Sequence, residues 1–350
     1  MYFASDNTAG IAPPILEAIA RANSGYALGY GNDAWTERVA RRFAEVFEHE
    51  VAVFLVPTGT VANALALAHV TPPWGAVLCH AGSHIATDEC GAPEFFGGGI
   101  KLVGLAGEGS KISPATLRAA LDGQWGGPHH VSPAALSLSQ ATESGTIYRV
   151  AEIRELADIA HARGMVVHVD GARIGNALAR MNVSPAEATW KAGVDVMSFG
   201  ATKGGAMGAE AVIFFDAKRG ANMQDRRKRG GALASKHRFI AAQMEAYLDS
   251  DLWLSLARHA NDMADALAAG LTAAGCAPVW PVEANEVFAP IPLAAREKLN
   301  AAGAMYYPWP DDSVAISPDK MLVRLVTSFQ TTQDDVDRFL AIVRGETVRR

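Results

Sequence analysis

The sequence predicts an α/β protein: a mostly parallel sheet covered by helices, followed by a smaller α+β unit. Three observations predict it. Short, continuously apolar runs alternate with segments of helical periodicity through the first two-thirds of the chain, the pattern of parallel strands buried on both faces. Apolar residues make up 49% of the 350 residues, enough for a sizeable core. After "MQDRRKRGGALASKHRF" the alternation stops, and a helix-rich stretch over 235–275 leads into a few more short apolar runs.

In chain order, "TERVARRFAEVF" (36–47) places Val39, Phe43, Val46 and Phe47 at helical spacing, with Thr36 as its expected cap. "VAVFLVP" (51–57) is a strand ended by Pro57, and "TGTVANALALAHV" (58–70) is the helix after it. "GAVLCH" (75–80), "ALSLSQ" (135–140), "GMVVHVD" (164–170), "VDVMSFG" (194–200) and "EAVIFFD" (210–216) are further strands. "VAEIRELADIAHARG" supplies a helix that ends in glycine. "EVFAPI" (286–291), "AMYYPW" (304–309) and "LVRLVTSF" (322–329) are the strands of the second unit, closed by the helix "TQDDVDRFLAIV". The expected organisation is an N-terminal arm (1–15) that returns to the small unit, a large domain (16–245) and a small C-terminal domain (246–350).

Bulk properties exclude several function classes. A formal net charge of −6 argues against a nucleic-acid partner, and the one dense basic run, Arg226–Arg229, reads locally as a solvated helix face. No segment approaches the roughly 20 apolar residues of a membrane span. "MYFASDNTAG" has no basic flank followed by an apolar run, so no secretory leader is expected. Cys79, Cys90 and Cys276 lack CxxC spacing and read as reduced, buried thiols of a cytoplasmic protein. No metal is expected: the histidines are scattered, and His80 with His84 lacks a third ligand nearby in sequence.

Open parallel sheets bind ligands at the carboxyl ends of their strands, and several polar residues fall there. Asp170 ends "GMVVHVD" and Arg173 follows it; His84 follows "GAVLC"; Lys203 follows "VDVMSFG" in a loop of small residues. Gly59 and Thr60, where a strand turns into a helix, offer backbone N–H groups to an anion. Each feature alone is ordinary: a turn, a cap, a structural histidine, a surface lysine. Together they supply what pyridoxal phosphate needs: an amine for its aldehyde, an acid for its ring nitrogen, an anion cradle and a flat side chain.

"SDNTAG", "YGND", "PTGTVAN", "SHIATDECGA", "QATESGT", "VHVDGARIGNA", "SFGATKGGA" and "VRLVTSF", in order along nearly the whole chain, resemble the pyridoxal-phosphate threonine aldolases. The nearest likeness is to the low-specificity L-threonine aldolase type, close to phenylserine aldolase, in the β-eliminating-lyase branch of fold type I. The resemblance implies an aspartate aminotransferase-like large domain with a seven-stranded sheet, and cleavage of β-hydroxy-α-amino acids to glycine and an aldehyde. It implies pyridoxal 5′-phosphate held as an internal aldimine on Lys203, with Asp170 at the pyridinium nitrogen. Arg173 would approach the pyridoxal 3-oxygen or the substrate carboxylate, and His84 would stack on the ring near the substrate hydroxyl. Gly59 and Thr60 would hold the phosphate, and Arg324 with Ser5 would bind the α-carboxylate. Tyr30 would line the site, often a neighbouring subunit's, and Arg229 or Lys228 would reach the phosphate across a dimer that shares its sites and assembles into a tetramer.

The chain departs from the family pattern twice. Glu143 stands where some members have a histidine, which leaves Glu143, His84 or a water to handle the β-hydroxyl. "KRGGALASKHRF" replaces "GGGMRQ". Alternative readings are another fold type I lyase acting by β-elimination, a serine hydroxymethyltransferase-like enzyme, or a cofactor carrier without turnover. A nicotinamide dehydrogenase is set aside for want of GxGxxG after the first strand.

Overall fold

A computed structural model describes residues 1–311 and 314–346. Seven strands form the larger sheet: β1 (Ala52–Val56), β2 (Gly75–His80), β3 (Lys101–Leu105), β4 (Ser132–Ser139), β5 (Val166–Gly171), β6 (Val196–Gly200) and β7 (Glu210–Phe214). Their order is β1-β7-β6-β5-β4-β2-β3, and only β7 runs against its neighbours. Because β7 is reversed, its first residue, Glu210, pairs with Gly200 at the end of β6 and with Val56 at the end of β1. The carboxyl ends of β1, β5 and β6 and the start of β7 therefore share one edge, and the polar residues of this edge meet there.

β5, β6 and β7 are buried along their whole length, which explains their unbroken apolar sequences. The helix Gly59–Val70 buries every residue from Ala62 to Ala68, so it carries no amphipathic stripe and sits wholly inside the protein. A second sheet, ordered β8-β10-β9, is antiparallel: β8 (Glu286–Pro292), β9 (Tyr307–Pro308) and β10 (Lys320–Val326). The arm joins this sheet, since Phe3 donates to Met305 O at 2.7 Å and accepts from Val326 N–H at 2.8 Å. The helix Leu252–Ala273 runs between the two cores, with Trp253 in the larger and Leu267 and Leu271 in the smaller. Among the described residues no helix is long and apolar enough to cross a membrane.

Several sequence expectations are corrected. The first long helix spans Ala34–Val46 and is capped by Asp33, not Thr36: Asp33 Oδ1 accepts the Thr36 N–H at 2.9 Å, while the Thr36 hydroxyl binds Oδ2. β3 is an edge strand whose Lys101 and Gly104 break the apolar run, so it is not announced by its sequence. "AMYYPW" yields only a two-residue strand, because Pro308 has no N–H for a ladder. Cys90 is exposed, in a left-handed turn at φ 50°; Cys79 and Cys276 are buried, and all three are free thiols. The basic run is not a uniformly solvated face. Arg227 is buried, donating to Leu55 O at 2.8 Å and Gln224 Oε1 at 2.7 Å, and burial lowers its pKa to about 10.

Candidate active site

A cleft of about 680 Å³ opens at the shared strand edge. Lys203, Asp170, His84, Glu143, Arg173, Arg324, Ser5, Gly59 and Thr60, all expected from the sequence, line it.

The anion cradle follows from the β1–helix junction. Thr58 caps Gly59–Val70 by accepting the Val61 N–H, and no hydrogen bond among the described residues takes up the Gly59 and Thr60 N–H groups. Two unpaired donors at the positive end of a twelve-residue helix attract an anion.

Lys203 stands in the turn between β6 and β7. Gly205 adopts φ 122°, and a Cβ on Gly204 would collide with the Tyr247 hydroxyl, so both glycines after the lysine are required by the backbone path. The Lys203 ammonium makes no hydrogen bond or ion pair among the described residues. Glu210, unnoticed in the sequence, accepts the Thr202 N–H at 3.2 Å through Oε1. Burial pushes its carboxyl up to about 7, against the pull of Thr202 and Lys203.

Asp170 closes β5 with both oxygens engaged: Oδ1 accepts from Ala172 N–H at 3.0 Å and Oδ2 from Asn63 Nδ2 at 2.8 Å. The same Asn63 amide donates to Glu89 Oε1 at 2.8 Å, and that oxygen also meets His84 Nδ1 at 2.8 Å. Asn63 and Glu89 were missed in the sequence; one sits mid-helix among alanines, the other in a loop. His84, Glu89 and Asp170 place ligand atoms within 4.8 Å of one another, a constellation that local sequence spacing could not reveal. Asn63 already donates to both carboxylates, so the cluster is stabilised by an amide.

Glu143 accepts from the Ser139 hydroxyl at 2.6 Å and the His84 backbone N–H at 2.9 Å, both on Oε1. Its Oε2 is buried without a partner, and burial raises its pKa to about 6. That shift moves the carboxyl toward the range in which a general acid–base group operates.

Two arginines also line the cleft. Arg173 donates Nε to Asp6 Oδ2 at 2.7 Å and Nη2 to Oδ1 at 3.1 Å, and its Nη1 lies 3.4 Å from Glu286. Burial would weaken its charge, but Asp6 and Glu286 outweigh it and hold the guanidinium's pKa up. Arg324 binds Glu286 through Nη2 and Nε. Asp6 and Glu286 were not singled out in the sequence, though "SDN" carried the first.

Tyr30, Lys228 and Arg229 do not line the cleft of their own chain. All three are exposed, and Lys228 Nζ lies 4.7 Å from the Tyr30 ring centre, with Tyr30 N–H on Ser235 O at 3.0 Å.

The arrangement brings an amine, several buried carboxylates, an imidazole and two arginines together beside an anion-attracting helix N-terminus, chemistry suited to a phosphorylated aromatic aldehyde. Comparison with known proteins agrees. Residues 2–293 match the β-eliminating lyase family. The chain is 43% identical over 307 residues to a low-specificity L-threonine aldolase of Pseudomonas aeruginosa, covering 87% of this chain and 88% of that one. A second such aldolase, from a Pseudomonas species, is 41% identical over the same shares. The solved threonine aldolase of Leishmania major superposes with a TM-score of 0.92 at 29% identity, covering 98% of both chains. Sequence, fold and site thus converge: the chain belongs to the β-eliminating lyase family, and within it to the relatives of the low-specificity L-threonine aldolases.

Proposed function

We propose that the protein cleaves L-threonine, L-allo-threonine and related β-hydroxy-α-amino acids, phenylserine among them, to glycine and an aldehyde with pyridoxal 5′-phosphate. The observation that carries this is the convergence in one cleft of Lys203, Asp170, His84, the unpaired Gly59 and Thr60 N–H groups, and Arg324. The residues fit the cofactor. The orphan helix N–H groups suit its phosphate, the Asp170 carboxylate its ring nitrogen, and the unpaired Lys203 amine its aldehyde.

When bound, the cofactor supplies a conjugated ring that takes up the electron pair released at the substrate's Cα. Lys203 would be the amine that holds its aldehyde, since its side chain makes no hydrogen bond or ion pair among the described residues. Asp170 holds a proton at the ring nitrogen, steadied by Asn63 and the Ala172 N–H. Arg324, with Ser5, binds the substrate α-carboxylate. Arg173, fixed by Asp6, serves the 3-oxygen or that carboxylate. His84, Glu143 or a water held between them would take the single β-hydroxyl proton as the Cα–Cβ bond breaks, and a proton returned to Cα completes glycine.

The arm 1–15 and the segment 246–350 would form the smaller domain beside 16–245, with Ala12, Tyr247, Leu248 and Trp253 anchoring them in the larger core. Tyr30, with Arg229 or Lys228, would complete the cleft of a second copy in a homodimer that pairs into a tetramer; the exposure of these residues beside Tyr26 and Leu28 supports this.

Incubating purified protein with each of the three amino acids tests the reading. Glycine and aldehyde are expected in equal amounts. Pyruvate with ammonia would point to β-elimination, and a yellow protein forming neither would point to a carrier.

A further inference from the structure

The residues assigned above leave Glu89 without a part, although it is 3% exposed and central to the cleft's polar network. Its Oε1 lies 2.8 Å from His84 Nδ1 and accepts from Asn63 Nδ2 at 2.8 Å; its Oε2 is buried with no partner. The chain is shaped to bring it there. After Glu89, two successive left-handed residues, Cys90 (φ 50°) and Gly91 (φ 72°), reverse the backbone, and the Ala92 N–H closes the turn on Glu89 O at 2.9 Å.

We infer that Glu89 is the positioning residue for His84: its carboxylate fixes Nδ1 as the donor side of the imidazole and leaves Nε2 for the substrate, while Asn63 anchors Glu89. This rests on the reading of His84 as a proton-moving group. An imidazole nitrogen facing a carboxylate carries the hydrogen, which sets the tautomer and the ring's orientation. Nε2 makes no hydrogen bond among the described residues, and His84 lines the cleft, so Nε2 is the nitrogen left for chemistry. The surrounding charges support the same arrangement. The Glu89 contact raises the His84 pKa against burial, Asp170 adds to that rise, and Lys203 opposes it. Glu143 touches only the His84 backbone, and Asp88 lines the same cleft. Glu89 itself is pushed up by burial, held back by His84 and Asn63.

Glu89→Gln keeps an oxygen for the Nδ1 hydrogen and removes the charge. Glu89→Asp keeps the charge and withdraws it by one methylene. The pH dependence of His84 modification by diethyl pyrocarbonate, resolved by peptide mass spectrometry on the full-length protein with and without cofactor, reads the His84 titration directly. Both variants should shift its midpoint to lower pH. Both should bind cofactor at wild-type concentrations while kcat falls about 10- to 100-fold, the usual cost of losing an orienting partner, with KM little changed. A midpoint unmoved in both variants overturns the inference, as does an undiminished kcat. Should Glu89→Gln fail to fold, Glu89→Asp decides alone. The titration decides the matter even if no aldolase activity is found, so the two readings fail separately.

Discussion

Arg324 and Glu286 are joined by two donors on one oxygen, Nη2 at 2.7 Å and Nε at 3.2 Å from Oε1. Glu286 is 1% exposed, and its other oxygen lies 3.4 Å from Arg173 Nη1. One buried carboxylate thus aims two guanidinium groups at the cleft before any substrate arrives, which lowers the ordering cost of binding. Arg324→Ala should reduce kcat/KM about 100-fold, mainly through KM, because a charge-assisted contact is lost. Arg324→Lys should recover only part of it, lacking the planar fork. Steady-state glycine release measures both.

Lys203→Ala should still bind the cofactor through the helix N-terminus and Asp170. Borohydride treatment followed by intact-mass measurement should leave cofactor attached to the wild type and none to the variant. Attachment in the variant would place the reactive amine elsewhere.

His84→Gln should slow turnover by about 10²–10⁴-fold, the range of a general base, while leaving cofactor binding intact. Absorbance titration separates the two effects. A residual rate that tracks a group with a pKa near 6 would identify Glu143 as the second proton carrier.

Glu210 makes a prediction about stability. Its carboxyl titrates near 4.5 in an unfolded chain and is pushed up to about 7 by burial. A raised acid favours folding below its unfolded pKa, and that contribution disappears as pH rises through the folded one. Cofactor-free protein should therefore lose stability between about pH 4.5 and 7, on the order of 3 kcal/mol from this group. Glu210→Gln keeps an acceptor for the Thr202 N–H and should flatten that part of the melting-temperature profile. Parallel profiles for the two proteins would refute it.

What could be read in advance follows a physical line. β5 and β6 were legible because both of their faces are buried, which forces unbroken apolar runs, and Asp170 and Lys203 were legible because they follow such runs. Asn63, Glu89, Glu210 and Glu286 were not: Asn63 and Glu286 meet Asp170 and Arg324 from 107 and 38 residues away, while Glu89 and Glu210, only five and eight residues from His84 and Thr202, stand in segments with no local pattern that marks a buried acid. Asn63 sits 107 residues from Asp170, inside a helix whose other buried positions are apolar. Only the closing of the sheet makes that asparagine a bridge. The edge strand β3 was lost for the opposite reason: exposure relaxes its pattern.

β7 runs antiparallel beside β6, with Gly200 opposite Glu210 and Ser198 opposite Val212. Every other pair of neighbours between β6 and β3 in the larger sheet is parallel and separated in the chain by long crossovers that can lengthen freely. The segment bearing Lys203 has no such freedom. It is clamped at both ends by one ladder, like a link between two fixed rivets. Adding or removing a single residue in 201–209 would either shift the ladder, turning Glu210 to the other face of the sheet, or carry the amine away from Asp170. Over evolutionary time this link should keep its length while the surrounding crossovers drift, and a protein engineer seeking new substrates should leave it alone and reshape the cleft elsewhere.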